Sequence, residues 1–148
     1  MSKAALKPNI MKQSSTKLVF IVDDDPDDRQ FILDALVENK QSIDYVFLDN
    51  AQDLLLKLNA PESETPDLIF LDLNMPGVMG LQALKEIRAK KTFNHIPIIV
   101  LTTSTLEMDR RLSYDYGANC FITKTHSFKK MIALADAIIT LWLLDEQD

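Results

Sequence analysis

Five short apolar runs recur along the chain, and each is stopped by a polar residue. The first run, Leu18 to Val22, is rich in β-branched and aromatic residues and ends at Asp23. Runs of this length and composition are typical of strands buried on both faces of a parallel sheet. The pattern predicts five strands, at Leu18–Val22, Tyr45–Leu48, Leu68–Leu71, Ile98–Leu101 and Cys120–Ile122.

Helical patterns separate these runs. Asp25 followed by Pro26 predicts a helix start, because an aspartate caps the first turn and proline fits the first helical position. Strands that alternate with helices predict the α/β class, a doubly wound parallel sheet with helices on both faces. A second helix is predicted to begin after Asn50, and a third spans Gly80–Lys90. A fourth runs from a capping box of Ser104 and Glu107 to Gly117, and a fifth runs from about Ser127 to Leu144.

The length of 148 residues suits one domain, in which charge is unevenly distributed. Residues 1–17 contain four lysines and no acid, so they carry +4 of a net charge of −6 and leave −10 on the remainder. Their composition predicts a disordered basic leader, followed by a domain over residues 18–146. The acidic body argues against nucleic-acid binding as the main function.

The residue types that occur least often exclude several kinds of binding site and of protein. The single cysteine, Cys120, excludes an internal disulfide and fits a reducing compartment. The longest apolar stretch, Met131 to Leu144, has 14 residues and contains Asp136, so it is too short for a membrane span. No apolar run follows the N-terminal lysines, so no signal peptide is expected and a cytoplasmic protein is predicted. Two distant histidines and three glycines leave no HExxH zinc motif, dinucleotide fingerprint or Walker phosphate loop.

Polar side chains stand where four of the predicted strands end. Asp23 and Asp24 follow the first strand, Asp72 the third, Thr102 the fourth and Lys124 the fifth. Doubly wound folds bind ligands at the carboxyl ends of their strands. If the strands pair in the order 2-1-3-4-5, the first and third strands are neighbours and the three aspartates share one pocket.

Such a pocket has a definite chemistry. Three carboxylates repel one another, and burial raises their pKa values unless positive charge is present. A divalent cation supplies that charge, and hard oxygen ligands with room for water suit Mg²⁺. With Lys124 as a second cation, an aspartate there can act as a nucleophile toward a phosphoryl group, and the hydroxyl of Thr102 can bond a phosphoryl oxygen.

From Leu18 to about Leu144 the chain resembles the receiver domain of bacterial two-component response regulators. The resemblance rests on the acidic pair in IVDDDP, on Asp72 in FLDLNMPG, on Thr102 in VLTTS and on Lys124 in FITK. It implies a CheY-like, flavodoxin-like fold, in which five helices cover a five-stranded sheet of order 2-1-3-4-5.

The same resemblance implies the members of the reactive site. Asp72 is the expected phosphoacceptor, and Lys124 is the cation that contacts the phosphoryl group. Mg²⁺ is expected to bind Asp24 directly and Asp23 through water. Asp72 itself and the backbone carbonyl of Asn74 complete the expected protein ligands.

Other positions are expected to shape the response to phosphorylation. Thr102 is the expected switching hydroxyl, and Phe121 occupies the aromatic position whose side chain follows the threonine. Asn74 and Ser104 are candidates for tuning the lifetime of the phosphoryl group, since a side chain at Ser104 can gate water.

Two residues depart from the family pattern. Thr125 follows Lys124, where the family usually has proline after a cis bond. A cis bond before another residue costs about 2.5–4 kcal/mol, so either the site holds it under strain or this loop differs. Met79 stands where many members have an aspartate, which lies outside the core set. The Lys-Thr pair, NCFITK and the LWL near the end resemble single-domain regulators that partner phytochrome-type sensor kinases.

Some of these residues also have a simpler structural explanation. Asp25, Asp27 and Asp28 are assigned to the cap and dipole of the first helix rather than to a metal. Adjacent acids such as Asp23 and Asp24 also occur at solvated strand ends. The last predicted helix is apolar around its circumference, which predicts either a deeply packed helix or a partner surface, such as a homodimer through the fourth helix, fifth strand and fifth helix.

The expected function is that of a stand-alone response regulator. A sensor histidine kinase or phosphotransfer protein would phosphorylate Asp72, and the change would alter affinity for a downstream protein target. Apart from this self-phosphotransfer and slow self-dephosphorylation, no enzyme activity is expected. The alternatives are an adaptor that works without phosphorylation and an aspartyl phosphatase, although Asn74 stands where such enzymes carry a proton-transferring aspartate.

Overall fold

The computed structural model describes residues 16–75 and 79–144, within which five strands form one parallel sheet. The strand order is β2-β1-β3-β4-β5, which confirms the predicted 2-1-3-4-5 arrangement of a CheY-like fold. Residues 1–15 of the expected leader lie outside the described residues, whereas Lys17 pairs with Ile43 one residue before the predicted strand start. The strands are β1 Lys17–Val22, β2 Ile43–Leu48, β3 Leu68–Leu71, β4 Ile98–Thr102 and β5 Cys120–Thr123.

Five α-helices connect and follow the strands. The predicted cap at Asp25 is confirmed, because its side chain accepts hydrogen bonds from the backbone N–H groups of Asp27 and Asp28. None of the helices in the described part of the chain is long and apolar enough to cross a membrane. The helices are α1 Pro26–Val37, α2 Ala51–Asn59, α3 Gly80–Arg88, α4 Glu107–Asp115 and α5 Phe128–Ile138.

The predicted capping box of Ser104 and Glu107 is wrong. The helix α4 begins at Glu107, so Leu106 occupies the cap position and offers no side-chain hydrogen bond. The hydroxyl of Ser104 instead accepts the N–H of Leu106 at 3.2 Å and donates to Asp109 at 2.5 Å. Ser104 therefore shapes the turn between β4 and α4 rather than starting the helix.

The last helix changes its geometry before it ends. Its α-helical part stops at Ile138, and residues Ile139–Leu143 form a π-helical turn. The N–H of Leu144 accordingly reaches back five residues to the carbonyl of Ile139, at 3.1 Å. Sequence periodicity predicted an unbroken helix to Leu144, because the apolar spacing does not distinguish the two kinds of turn.

The sheet is buried on both faces, as its apolar strands predict. Along β1, Val19 and Ile21 pack with α1 and α5 on one face, while Phe20 and Val22 pack with α2 and α3 on the other. Most of the apolar residues of the last helix belong to the first of these cores, whereas Phe128 at 40% and Leu141 at 68% are exposed. Packing against this core thus explains most of the apolar surface of that helix. The carboxyl edge of the sheet stays open above the core.

Arg88, the last residue of α3, joins several loops by hydrogen bonds to their carbonyl groups. Its guanidinium donates to the carbonyls of Gly117, Phe93 and Ile96 at 2.7–2.9 Å and to the side-chain oxygen of Asn119 at 2.9 Å. Gly117, with φ of 104°, allows the close approach, since a Cβ there would lie 2.7 Å from Cγ of Arg88.

Replacing Arg88 by methionine is expected to lower the free energy of unfolding by about 2–4 kcal/mol, because several acceptors lose a charged donor. Urea denaturation measures the change. The matched control, Arg111→Met, removes an exposed arginine that forms no ion pair within the described residues and should change stability by less than about 0.5 kcal/mol. Equal losses for the two variants would contradict the role of Arg88.

Candidate functional site

Two neighbouring strands bring buried carboxylates to one edge of the sheet. The pairing of Val22 with Leu71 sets β1 and β3 in register, so Asp23 and Asp72 follow side by side. The N–H of Asp72 donates to the carbonyl of Val22 at 3.0 Å, which continues the sheet by one further bond. Asp23 is 2% exposed and Asp72 5%, so both acids are held in the protein rather than in bulk water.

Asp24 completes a group of three carboxylates. One oxygen from each of Asp23, Asp24 and Asp72 lies within 4.8 Å of the others, which is the convergence expected from the strand order. Asp24 is exposed, so a cation here would keep access to water. The donor set consists of hard oxygen atoms with one open side, and it fits a divalent cation such as Mg²⁺. The carbonyl of Asn74 as a further ligand stays a prediction.

Local hydrogen bonds fix the orientation of two of these carboxylates. The N–H of Asp25 donates to Asp23 at 3.0 Å, and the N–H of Asn74 donates to Asp72 at 3.2 Å. Each bond spans two residues, so the acid and the turn that follows it form one unit. The second oxygen of each carboxylate points to Lys124.

Lys124 is the cation shared by these acids. Its Nζ lies 2.7 Å from Asp23, 2.7 Å from Asp28 and 3.3 Å from Asp72, and its side chain is 12% exposed. The N–H of Lys124 donates to the carbonyl of Thr102 at 2.7 Å, which anchors the backbone at the end of β5. The lysine therefore reaches all three acids from a fixed base.

Burial and charge shift two pKa values in this pocket. Burial lowers the pKa of Lys124, but hydrogen bonds to Asp23 and Asp28 and attraction by Asp72 outweigh it, so the pKa rises above its ordinary value. Burial also raises the pKa of Asp23, and this effect exceeds the opposite influence of Lys124 and of the Asp25 N–H. Added positive charge would offset this effect of burial, and a divalent cation at the three carboxylates would supply it.

The hydroxyl of Thr102 is fully buried beside the acids. Its oxygen accepts a hydrogen bond from the side-chain amide of Asn74 at 3.2 Å and another from the N–H of Ser104 at 3.3 Å. A hydroxyl has two acceptor positions and one hydrogen, so both acceptor positions are filled and the hydrogen is left to be donated. Both residues predicted to tune the phosphoryl lifetime thus contact the predicted switching residue.

Phe121 lies on the neighbouring strand, where it faces Val100 of β4. Its ring is half-buried against the core formed by β4, α3 and their neighbours. The N–H of Phe121 donates to the hydroxyl of Tyr114 at 3.0 Å, so α4 is tied to the outer edge of β5. Sequence reasoning missed Tyr114, since no local pattern links it to Phe121.

Asp28 and Arg29 were also missed. Asp28 was assigned to the helix dipole alone, yet its carboxylate contacts Lys124, which is 96 residues away along the chain. Arg29 donates to the carbonyl of Asp23 at 2.8 Å and pairs with Asp49 at 2.5 Å, which braces the acidic turn from the side of β2. In the sequence, only the helical spacing of Asp28 and Arg29 from Asp25 indicated that either residue lies near the acidic turn.

The loop after Lys124 differs from the family pattern and does not hold a strained cis bond. No peptide bond between described residues is cis, so the bond between Lys124 and Thr125 is trans. The hydroxyl of Thr125 accepts the N–H of Ser127 at 3.1 Å, which leads the chain into α5. Met79, the other departure, is 55% exposed.

Comparisons with known proteins agree with this geometry. A family model described as the response regulator receiver domain matches residues 19–136. Response regulator Rcp1 from Synechocystis sp. is 30% identical over 131 residues, which cover 86% of this chain and 89% of Rcp1. Several longer curated relatives also match, and the chain spans about half their length.

Solved structures give the same result. The phosphorylated cyanobacterial phytochrome response regulator RcpA has a TM-score of 0.80 and 32% identity, over 87% of this chain and 95% of that chain. The Mn²⁺-bound form of Rcp1 has a TM-score of 0.77 and 30% identity, over 86% of this chain and 94% of that chain. The expected likeness to phytochrome-associated regulators is therefore confirmed. The chain belongs to the response regulator receiver domains of two-component signalling.

Proposed function

We propose that Asp72 accepts a phosphoryl group from the phosphohistidine of a sensor histidine kinase or a phosphotransfer protein. The observation that carries the proposal is the shared cluster of Asp23, Asp24 and Asp72, with Lys124 at 3.3 Å from Asp72. Receiver domains interact with such kinases and phosphotransfer proteins. The carboxylate of Asp72 would form the new P–O bond as the P–N bond to the donor imidazole breaks.

The residues around Asp72 suit this transfer. Bound by Asp23, Asp24 and Asp72, Mg²⁺ would stabilise charge on the phosphoryl oxygens. Lys124 supplies a donor on the other side of Asp72, and the free hydroxyl hydrogen of Thr102 supplies a further one. Because the backbones of Asp72 and Lys124 are anchored at strand ends, these two residues would need little backbone rearrangement when the group arrives.

The response would pass from Thr102 to the surface. Donation by Thr102 to a phosphoryl oxygen would draw the end of β4 toward Asp72, and Phe121 would follow on β5. Tyr114 bonds the backbone of Phe121, so α4 would shift with it. The active arrangement would be a minor state beforehand that phosphorylation makes dominant. Further enzyme activity is not part of the proposal.

The output would be a protein–protein contact on the surface of α4, β5 and α5. Three apolar side chains are exposed on α4 or directly before it, and such groups favour a partner surface. The downstream partner would be a second copy of this chain or another target protein. The exposed residues are Leu106 at 64%, Met108 at 58% and Tyr114 at 41%.

Incubation with acetyl phosphate and Mg²⁺ is expected to add one phosphoryl group, detected by intact mass. Asp72→Asn should lose the label because the nucleophile is gone, and chelation of Mg²⁺ should also prevent labelling. Asp34→Asn, an exposed acid on α1, is the matched control and should label normally. No label on the wild-type protein would favour the adaptor, and sustained hydrolysis of many phosphate esters would favour the phosphatase.

Phosphorylated protein is expected to sediment as a dimer, because burying the apolar side chains of α4 favours association. Met108→Glu places a charge in that surface and should keep the protein monomeric while leaving phosphorylation intact. Leu56→Glu makes the same kind of change at a residue that is 70% exposed on α2 and should not affect assembly. A wild-type monomer at every concentration would exclude the dimer.

A further inference from the structure

Asp28 holds the lysine that is expected to speed the proposed phosphotransfer. Its carboxylate lies 2.7 Å from Nζ of Lys124, closer than the carboxylate of Asp72 at 3.3 Å. An ammonium group has three N–H donors and no acceptor. The carboxylates of Asp23, Asp28 and Asp72 take one donor each, so no N–H of Lys124 is spare for a phosphoryl oxygen.

We propose that Asp28 restrains phosphorylation of Asp72 by withholding Lys124 from the reacting group. This inference rests on the proposed function and adds a positioning residue to it. Contact between Lys124 and an incoming phosphoryl oxygen requires that the lysine release one of its present partners. Asp28 thereby favours the unphosphorylated arrangement of the pocket.

Asp28 is the most exposed of the three partners of Lys124, since the side chain of Asp72 is only 6% exposed, and this favours Asp28 as the partner that is released. The side chain of Asp23 is 2% exposed, so an unpaired carboxylate there would be left without water. The side chain of Asp28 is 39% exposed, and water can replace the lysine once it leaves. Asp28 also lies outside the group of three carboxylates that fits a metal ion, so releasing it leaves that group intact.

Backbone hydrogen bonds anchor both Asp28 and Lys124. The N–H of Asp28 lies 3.4 Å from the capping oxygen of Asp25, within the first turn of α1. The backbone of Lys124 is fixed to β4 through Thr102 at 2.7 Å. The pairing of Asp28 with Lys124 is therefore a defined geometry between two anchored segments rather than a chance contact of long surface side chains.

The test compares initial rates of labelling by acetyl phosphate at fixed Mg²⁺. Asp28→Asn keeps the shape of the side chain but removes its charge, and it should raise the rate constant about two- to five-fold, the range that a partly exposed ion pair supports. Asp27→Asn is the matched control, since it removes the same charge from the same turn, and the side chain of Asp27 forms no ion pair within the described residues.

The same comparison in a Lys124→Gln variant separates the effect of releasing the lysine from the general effect of removing a negative charge. In Lys124→Gln protein, the Asp28→Asn change should no longer raise the labelling rate, because there is no ammonium to release. An unchanged or slower rate for Asp28→Asn would overturn the inference. So would an equal increase for Asp27→Asn, or an increase that persists with Lys124→Gln.

Unfolding measurements keep the inference distinct from the proposed function. A double-mutant cycle of Asp28→Asn and Lys124→Gln in urea should show coupling, whereas the cycle with Asp27→Asn should show none. If wild-type protein takes no label while the coupling is present, the phosphoacceptor proposal fails although Asp28 does hold Lys124. Absence of coupling overturns the inference whatever the labelling result.

Discussion

The organisation of this molecule depends on one shared ammonium group in a pocket with too much negative charge. Lys124 contacts three carboxylates that come from two strand ends and one helix, and two of the three are almost fully buried. Removing charge from water is unfavourable unless it is paired, so the pocket persists only while the lysine stays within reach. Burial raises the pKa of Asp23 despite the contact with Lys124, and a divalent cation at the three carboxylates would offset that effect.

The sheet provides the rigid frame that this pocket requires. Parallel strands buried on both faces end at one edge, and the pairing of β1 with β3 sets Asp23 beside Asp72 without any local motif. From there hydrogen bonds lead outward at two neighbouring strands. Asn74 and Ser104 bond the hydroxyl of Thr102, while Tyr114 bonds the backbone of Phe121 on the next strand. A charge change at Asp72 would therefore act on neighbours that are already joined to α4.

The fold could be predicted from the sequence because its signals are local. The apolar run before Asp23 marks a strand, and Asp25 with Pro26 marks the start of α1. The position of Asp72 then follows from the rule that parallel strands present their carboxyl ends together. The pairing of Asp28 with Lys124 has no such signal, because 96 residues separate them and a first-turn aspartate already has a sufficient local explanation. The capping-box prediction for Ser104 was wrong for the opposite reason. The spacing of Ser104 to Glu107 resembles a cap, but the helix begins later and the hydroxyl bonds Asp109.

A structure of the protein with Mg²⁺ and beryllium trifluoride, a stable mimic of the phosphoryl group, would show directly whether Lys124 leaves Asp28 for the bound group. The quantity to measure is the set of distances from Nζ of Lys124 to Asp28 and to the fluoride atoms on Asp72. We expect Nζ to lie within hydrogen-bond distance of a fluoride and to have left Asp28. A lysine that remains on Asp28, with no contact to the bound group, would contradict the account.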